Sequence, residues 1–320
     1  MTALSQFHAA HLRGEFLITA EVMPPKGGDP QRMLAEAKTL LGRVHAVNVT
    51  DSSRAMARMS PLAAAILIKN LGLEPVMQLA CRDRNRIALQ GDLLGAAALG
   101  IPNILALTGD PISAGDCPES RAVFDLESTR LLRLAQALNQ GRDLQGKPLP
   151  DGPTQLFVGA AIDPQSPSRS GLERRFQRKL AAGAAFFQSQ LISDFARLQE
   201  FMERWGYASG KPILAGIFLL KSAKNALYIN NNVPGVQIPA ALIDRLSRAG
   251  DPLEEGIQIA AEQVQKAKTL CQGVHLMAVR VEHLIPKILD YAGIPPLSLP
   301  MSPANSRACG SLWDSDPQSC

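Results

Sequence analysis

One glutamate stands inside an apolar run, Thr19-Ala20-Glu21-Val22-Met23-Pro24-Pro25. A carboxylate among apolar neighbours is expensive unless it is paired, protonated or used. Burial raises a carboxyl pKa, which suits a general acid near neutral pH. A structural pairing with an arginine is the plainer alternative, and both readings stay open. Three further apolar runs end in polar groups: Asn48-Val49-Thr50-Asp51-Ser52-Ser53, Gln78-Leu79-Ala80-Cys81-Arg82-Asp83-Arg84-Asn85 and Leu107-Thr108-Gly109-Asp110-Pro111. Gly109 lets backbone approach a ligand closely, and Asp110 would project beside it. Each also has an ordinary use, since Asp and Ser cap helices, Gly-Asp-Pro makes turns, and Arg82, Asp83 and Arg84 form a surface ion-pair cluster if exposed.

Gln188 and Gln190 alternate on one face of another apolar run. Buried amides need partners, so they serve either backbone groups or a heteroaromatic ligand. Arg174, Arg175, Arg178 and Lys179 follow helical spacing, which makes a solvated face or, near a site, a set of phosphate contacts. The histidines show no metal-ligand pattern, and His275, inside an apolar run, reads as a core histidine with its hydrogen bonds met.

Something must hold these groups at one place. Eight short, almost continuously apolar runs recur: Phe16–Val22, Ala46–Thr50, Pro75–Ala80, Asn103–Thr108, Gln155–Ile162, Phe186–Ile192, Ile213–Leu220 and Val274–Val279. Continuous apolarity marks strands covered on both faces. Between them lie stretches with apolar residues at three- and four-residue spacing, among them Met33–Leu41, Pro61–Leu71, Asn85–Leu99, Thr129–Leu138, Gly171–Ala181 and Phe195–Trp205. Asp29-Pro30 and Ser60-Pro61 each offer a cap followed by proline at the first helical position. Eight such units with no break in composition favour a closed (β/α)8 TIM barrel, with an open α/β sheet carrying a helical appendage as the alternative. In a barrel, polar residues at the C-terminal strand ends share one mouth, where chemistry sits. Extra helices are expected before the last strand, over Lys221–Ile229, Ala240–Arg248 and Pro252–Leu270. The barrel is expected to span 1–294, followed by a disordered tail over 295–320 that is too short for a further domain.

The bulk numbers exclude several classes. Hydrophobic residues at 46% and charged residues at 19% describe a chain with a sizeable core, which excludes global disorder. A net charge of +4, spread along the chain, gives no basic arm for nucleic acid. Cys81, Cys117, Cys271, Cys309 and Cys320 are odd in number and show no CxxC spacing, so neither a disulfide framework nor a metal site is expected, and a reduced cytoplasm fits. The most apolar stretch, Leu93–Leu107, is broken by Gly100, Pro102 and Asn103, and the first residues lack the core of a signal peptide, so no membrane association is expected.

Taken in this order, the motifs resemble the methylenetetrahydrofolate reductase family over about residues 15–293. The carriers are Thr19-Ala20-Glu21 with Pro24-Pro25, Leu107-Thr108-Gly109-Asp110, and Lys179…Ala182-Gly183-Ala184…Gln190. Pro75–Asp110 and Leu219–Asn225 are similar to the branch found in acetogenic bacteria. The resemblance implies a flavin, usually FAD with FMN open, across the strand ends. It implies reduction of 5,10-methylenetetrahydrofolate to 5-methyltetrahydrofolate, with electrons from NAD(P)H or a redox partner protein, and a homo-oligomer. Glu21 and Asp110 would be catalytic. Thr50, Asp51, Gln78, Arg82, Thr108, Gly109, Asp110, Ala160 and Lys179 would bind cofactor, and Glu21, Gln190, Asn225 and Arg280 would bind substrate. The chain departs from the family pattern at Gln78, where His is common, at Thr108, where Arg is common, and at Ala160–Pro164, where a Tyr and a His-Pro are common. Ile229 stands where relatives stack an aromatic. Two other classes compete, a folate-dependent methyltransferase without redox chemistry and a non-catalytic subunit of a redox complex.

Overall fold

The computed structural model describes residues 3–233 and 235–297; the rest of the expected tail, 298–320, lies outside them. Eight parallel strands close a barrel in chain order. They are β1 (Leu17–Val22), β2 (Ala46–Val49), β3 (Pro75–Ala80), β4 (Asn103–Leu107), β5 (Phe157–Ile162), β6 (Phe187–Leu191), β7 (Ile213–Phe218) and β8 (Gly273–Met277). The ring closes where Thr19 of β1 lies opposite His275 of β8. Each of the eight apolar runs is a strand, and the closed barrel takes the place of the open-sheet alternative.

The side-chain period of two divides each strand between two cores. Ile18, Ala20 and Val22 of β1 face the outer shell between barrel and helices, where they join Val47, Val49, Met77 and Leu79. Leu17 faces the barrel interior with Ala46, Val76, Leu105, Phe157 and Leu214. Helix α1 (Gln6–Leu12) plugs the N-terminal end of that interior. Its Phe7 is fully buried and meets Phe186 edge-on, ring centres 5.3 Å apart. Burying such a ring contributes roughly 1.5–3 kcal/mol, and it leaves the opposite end of the barrel as the open one.

The outer layer is α2 (Gln31–Lys38), α3 (Pro61–Asn70), α4 (Arg86–Ala98), α5 (Ser128–Asn139), α6 (Arg169–Ala181), α7 (Phe195–Phe201), α8 (Ala223–Asn232), α9 (Ala240–Arg248), α10 (Pro252–Lys268) and α11 (Ile285–Tyr291). Ser60 caps α3 as its sequence suggests, its hydroxyl accepting from Ala63 N at 3.3 Å, with Pro61 in the first turn. At α2 the helix begins one residue later than Asp29-Pro30 implied; Asp29 still accepts from Gln31 N at 2.9 Å, while Pro30 occupies the cap. The additional helices before β8 are α8, α9 and α10. They build their own apolar cluster from Ala226, Ile229, Leu246 and Ile259, joined by Leu191 and Leu220 from the strand ends.

Loops at the C-terminal strand ends are unusually constrained. After β2, Ser52, Arg54 and Ala55 all take left-handed backbone angles, with φ of 44°, 56° and 54°. Each such non-glycine residue costs about 1–3 kcal/mol and persists only where its surroundings hold it.

Candidate active site

Above the apolar plug the barrel interior turns polar. Thr19, Asn48, Gln188 and His275 are all buried, and each is hydrogen-bonded, as buried polar groups require. Asn48 and Gln188 pair through their amides, Asn48 Nδ2 donating to Gln188 Oε1 at 2.7 Å and Gln188 Nε2 to Asn48 Oδ1 at 3.1 Å. Gln188 Nε2 also donates to Thr19 Oγ1 at 3.1 Å, and Thr19 Oγ1 lies 3.0 Å from His275 Nδ1. This polar layer is the floor of the mouth.

One level higher, two residues along β1, Glu21 enters a cleft of about 430 Å³ that Gln78, Gln190, Lys179 and His275 also line. Its carboxyl is mostly covered, with 19% of the side chain exposed, and no arginine among the described residues pairs with it. Gln78 Nε2 donates to Glu21 Oε2 at 3.1 Å. His275 Nε2 faces the same oxygen at 3.6 Å, longer than a hydrogen bond. Of the two glutamines on β6, Gln188 belongs to the floor and Gln190 to the mouth. The register against β7 slips between Gln188 and Leu191. There the Ser189 hydroxyl accepts from Gly216 N at 2.8 Å and donates to the Gln190 carbonyl at 2.7 Å. A Cβ at position 216 would sit 2.7 Å from the Ser189 and Gln190 carbonyl oxygens, so glycine is required for this bulge. The irregularity leaves Gln190 exposed, with its amide unengaged by the described residues.

Lys179 reaches into the cleft from α6, Nζ donating to the Ala161 carbonyl at 2.6 Å. Burial lowers its pKa to about 8. The neighbouring Arg178 instead pairs with Glu127 outside the cleft.

The β2–β4 side of the mouth is arranged differently. Asp51 is buried and accepts from Ala80 N at 2.7 Å and from Arg84 at 2.7 Å. Burial nonetheless pushes its carboxyl pKa up, against the pull of Arg84. Arg82, 2% exposed, grips Asp83 through two nitrogens at 2.8 and 2.6 Å and donates to the Ser52 carbonyl at 3.1 Å. Within the Arg82–Asp83–Arg84 run only Arg82 pairs with Asp83, while Arg84 turns to Asp51 and Asp92, and both arginines are covered rather than on the surface. Thr108 Oγ1 accepts from Ser128 N at 3.2 Å, at the start of α5. Asp110 accepts from Arg54 N at 2.6 Å, holding the left-handed loop in place. Gly109 has φ of 98°, and a Cβ there would come within 2.8 Å of Arg82 Cβ.

The remaining expected residues are more scattered. Ala160 is fully buried in the shell between barrel and helices, and its neighbour Ala161 lines the cleft. Thr50 is buried, and its hydroxyl has no hydrogen-bond partner among the described residues. Asn225 accepts from Lys221 N at 3.2 Å at the start of α8. Ile229 is buried among the extra helices, whereas the next residue back, Tyr228, is half exposed and accepts from Arg54 at 3.3 Å. Arg280, with φ of 65°, opens onto a separate crevice of about 330 Å³ beside β1, shared with Lys26, Arg32, Arg58, Glu36 and Glu282. Arg58 is held below its usual pKa by burial and then by Arg280, and its Nε is buried without a partner among the described residues. Among the described residues, no cluster of three or more His, Cys, Asp or Glu could hold a metal, and no helix is long and apolar enough to cross a membrane.

Sequence reasoning singled out Glu21, Asp51, Gln78, Arg82, Thr108, Gly109, Asp110, Lys179 and Gln190, and the fold brings all of them to the lining of one cleft. It missed Arg84 as the partner of Asp51 and Arg54 as the partner of Asp110. It also missed that His275 leads from the floor to Glu21. The spacing of two in Thr19/Glu21 and Gln188/Gln190 was the available signal, since such pairs share a strand face.

A closed barrel with a carboxyl and two amides at the C-terminal strand ends, and a lysine reaching in from α6, defines an enzyme-type (β/α)8 site. The methylenetetrahydrofolate reductase family model matches residues 6–293, and the chain belongs to that family. Among solved structures it is similar to an uncharacterised Clostridium thermocellum protein that binds two copies of 5-methyl-5,6,7,8-tetrahydrofolic acid. The TM-score is 0.64 at 13% identity, over 90% of this chain and all (100%) of that one. It is also similar to tryptophan synthase from M. tuberculosis, with a TM-score of 0.50 at 12% identity, over 90% of this chain and 96% of the other. At such identities these likenesses speak for the barrel alone.

Proposed function

We propose that the chain reduces 5,10-methylenetetrahydrofolate to 5-methyltetrahydrofolate. The observation that carries this is the placement of Glu21 in the cleft, with Gln78 on its carboxyl and the unengaged amide of Gln190 across the mouth. Family membership supports the substrate class, and the Clostridium thermocellum barrel binds the product that the reading requires.

In this reading Glu21 protonates N10 of the folate, which opens the five-membered ring to a 5-iminium cation ready to accept hydride. Gln190 hydrogen-bonds the pterin edge, since an amide offers both a donor and an acceptor there. Asp110, at the rim, places negative charge near the cation as it forms. The folate's glutamate carboxylates would run toward Arg280 and Arg58 in the separate crevice beside β1, whose guanidiniums meet no carboxylate partner among the described residues.

The flavin expected for the family would find one phosphate contact in the cleft. Lys179 is the one cation lining the cleft that no carboxylate of the described chain binds. Lys179 would hold a phosphate, and Gly109 would lie along the ring system. A bound flavin would supply the hydride, drawn from NAD(P)H or a redox partner protein; the chain's own part is orientation, proton delivery and charge. A second reading, a folate-binding barrel without flavin, is favoured by the commitment of Asp51, Arg82, Thr108 and Asp110 to the chain itself.

The deciding experiment is an absorption spectrum of the purified protein, as isolated and after incubation with FMN or FAD. It is followed by chemical reduction and addition of 5,10-methylenetetrahydrofolate. A flavin spectrum that bleaches on reduction and returns with the folate supports the reductase. A protein that binds 5-methyltetrahydrofolate but takes up neither flavin supports the second reading, and one that binds no folate sinks both.

A further inference from the structure

We infer that Gln78 and His275 are positioning residues for Glu21, fixing its Oε2 as an acceptor so that the proton rides on Oε1. This rests on the reading of Glu21 as the acid, and it reassigns Gln78, which the family resemblance placed against the cofactor.

The argument begins at the floor. Asn48 and Gln188 form a closed amide pair, and Gln188 has one N–H left for Thr19 Oγ1 at 3.1 Å. Having accepted there, the Thr19 hydroxyl has one hydrogen to give. Two acceptors are near it, the Val274 carbonyl at 3.4 Å and His275 Nδ1 at 3.0 Å, and the shorter contact takes it. Nδ1 is then an acceptor, and the neutral ring carries its hydrogen on Nε2. Nε2 faces Glu21 Oε2 at 3.6 Å, and Gln78 Nε2 donates to that same oxygen at 3.1 Å.

An oxygen turned toward two N–H groups is a poor place for a carboxylic hydrogen. The protonated form of Glu21 therefore keeps its C=O at Oε2 and its O–H at Oε1, which no group of the described chain engages. A general acid whose hydrogen is fixed on one oxygen needs no rotation before transfer, which is what preorganisation contributes to a proton-transfer step. The chain of contacts runs from β2 through β6, β1 and β8, so the orientation is set by the barrel rather than by a mobile loop.

The test needs neither flavin nor an electron donor. Infrared difference spectra on acidifying the free protein contain the C=O stretch of each carboxyl that takes up a proton. Asp51, Asp110 and Glu282 lie nearby, so the Glu21 band is identified by its absence in Glu21→Gln. Losing a hydrogen bond at the carbonyl oxygen moves that band to higher frequency. Gln78→Leu is expected to shift it most and His275→Leu by less. His275→Gln, whose amide can restore an N–H toward Oε2, is expected to return it toward the wild-type position. If neither leucine variant moves the band, the proposal is overturned.

Should His275→Leu fail to fold, 15N NMR of histidine-labelled wild-type protein decides the second arm, with His275 assigned by its loss in His275→Gln. The Nε2–H tautomer supports the chain of donors. The Nδ1–H tautomer would mean that Thr19 Oγ1 accepts from the ring and gives its hydrogen to the Val274 carbonyl, and would overturn it. Neither measurement reads catalysis, so full turnover by Glu21→Gln would sink the acid reading separately from the orientation.

Discussion

At the C-terminal ends of β2, β3 and β4, Asp51, Arg82, Thr108 and Asp110 make their hydrogen bonds to the chain itself. Along the cleft-lining faces of β1, β3 and β6, Glu21, Gln78 and Gln190 keep at least one polar atom unengaged by the described residues. Both sides carry residue types that suit catalysis, and both stand at C-terminal strand ends. The difference lies in the loops behind them. The left-handed segment Ser52–Ala55 needs acceptors and donors to hold its strained backbone, and it takes them from Asp110 and Arg82. The Pro24-Pro25 segment after Glu21 makes no such demand on the carboxyl. A polar strand end thus serves a ligand only where its own loop does not need it.

The largest expected effect lies on the open side. Glu21→Gln keeps the shape and loses the proton, so folate reduction should fall by about 10³-fold, within the range for general acids. Binding of 5-methyltetrahydrofolate should change little, because the amide still fits beside Gln78. Steady-state turnover together with a binding isotherm separates the two, and a variant within tenfold of wild type would move the acid elsewhere.

On the committed side the same type of change should be read in stability. Asp51→Ala removes the acceptor for Ala80 N and a partner of Arg84, which keeps Asp92 at 2.8 Å. Breaking a buried pair of this kind costs about 3 kcal/mol, seen as a lower denaturant midpoint. A stability unchanged within error, with lost cofactor binding, would place Asp51 among the ligand groups instead. Gly109→Ala should cost about 2 kcal/mol, since φ of 98° and a 2.8 Å approach to Arg82 Cβ both oppose a side chain. Equilibrium unfolding measures this, and a neutral result would show that the Arg82 grip is loose.

How far the sequence could go divides along the same line. The strands were legible because continuous apolarity over four to eight residues is a local property, and capping at Ser60-Pro61 is local too. Glu21 was legible because a lone carboxylate in such a run demands a reason. The floor was not, since Asn48 and Gln188 are 140 residues apart and Thr19 and His275 are 256 apart, so their pairing exists only once the barrel closes. Nor could the sequence separate Asp51 from Glu21. Both are carboxylates at strand ends, and only the positions of Arg84 and the Ala80 amide show that one is already bound. The slip that turns Gln190 outward depends on Gly216 of another strand, which carries no sign of it in its own neighbourhood.

The smallest expected effect concerns the lysine between the two sides. Burial holds Lys179 at about 8, so it is mostly charged at pH 7 and neutral well above that. An anion beside it favours the charged form and raises that value in the complex. Between about 8 and the raised value, binding of a phosphate-bearing ligand must take up a proton, and affinity should fall by roughly tenfold per pH unit. FMN affinity is therefore expected to decline from pH 8 upward, while riboflavin, which lacks the phosphate, keeps a flat profile over the same range. Lys179→Met should weaken FMN at pH 7 and remove the slope. An FMN profile as flat as that of riboflavin would mean that the phosphate does not meet Lys179. Lys179 would then be free for the folate, and a flavin, if bound, would have to draw on the arginines of the committed side after displacing their partners.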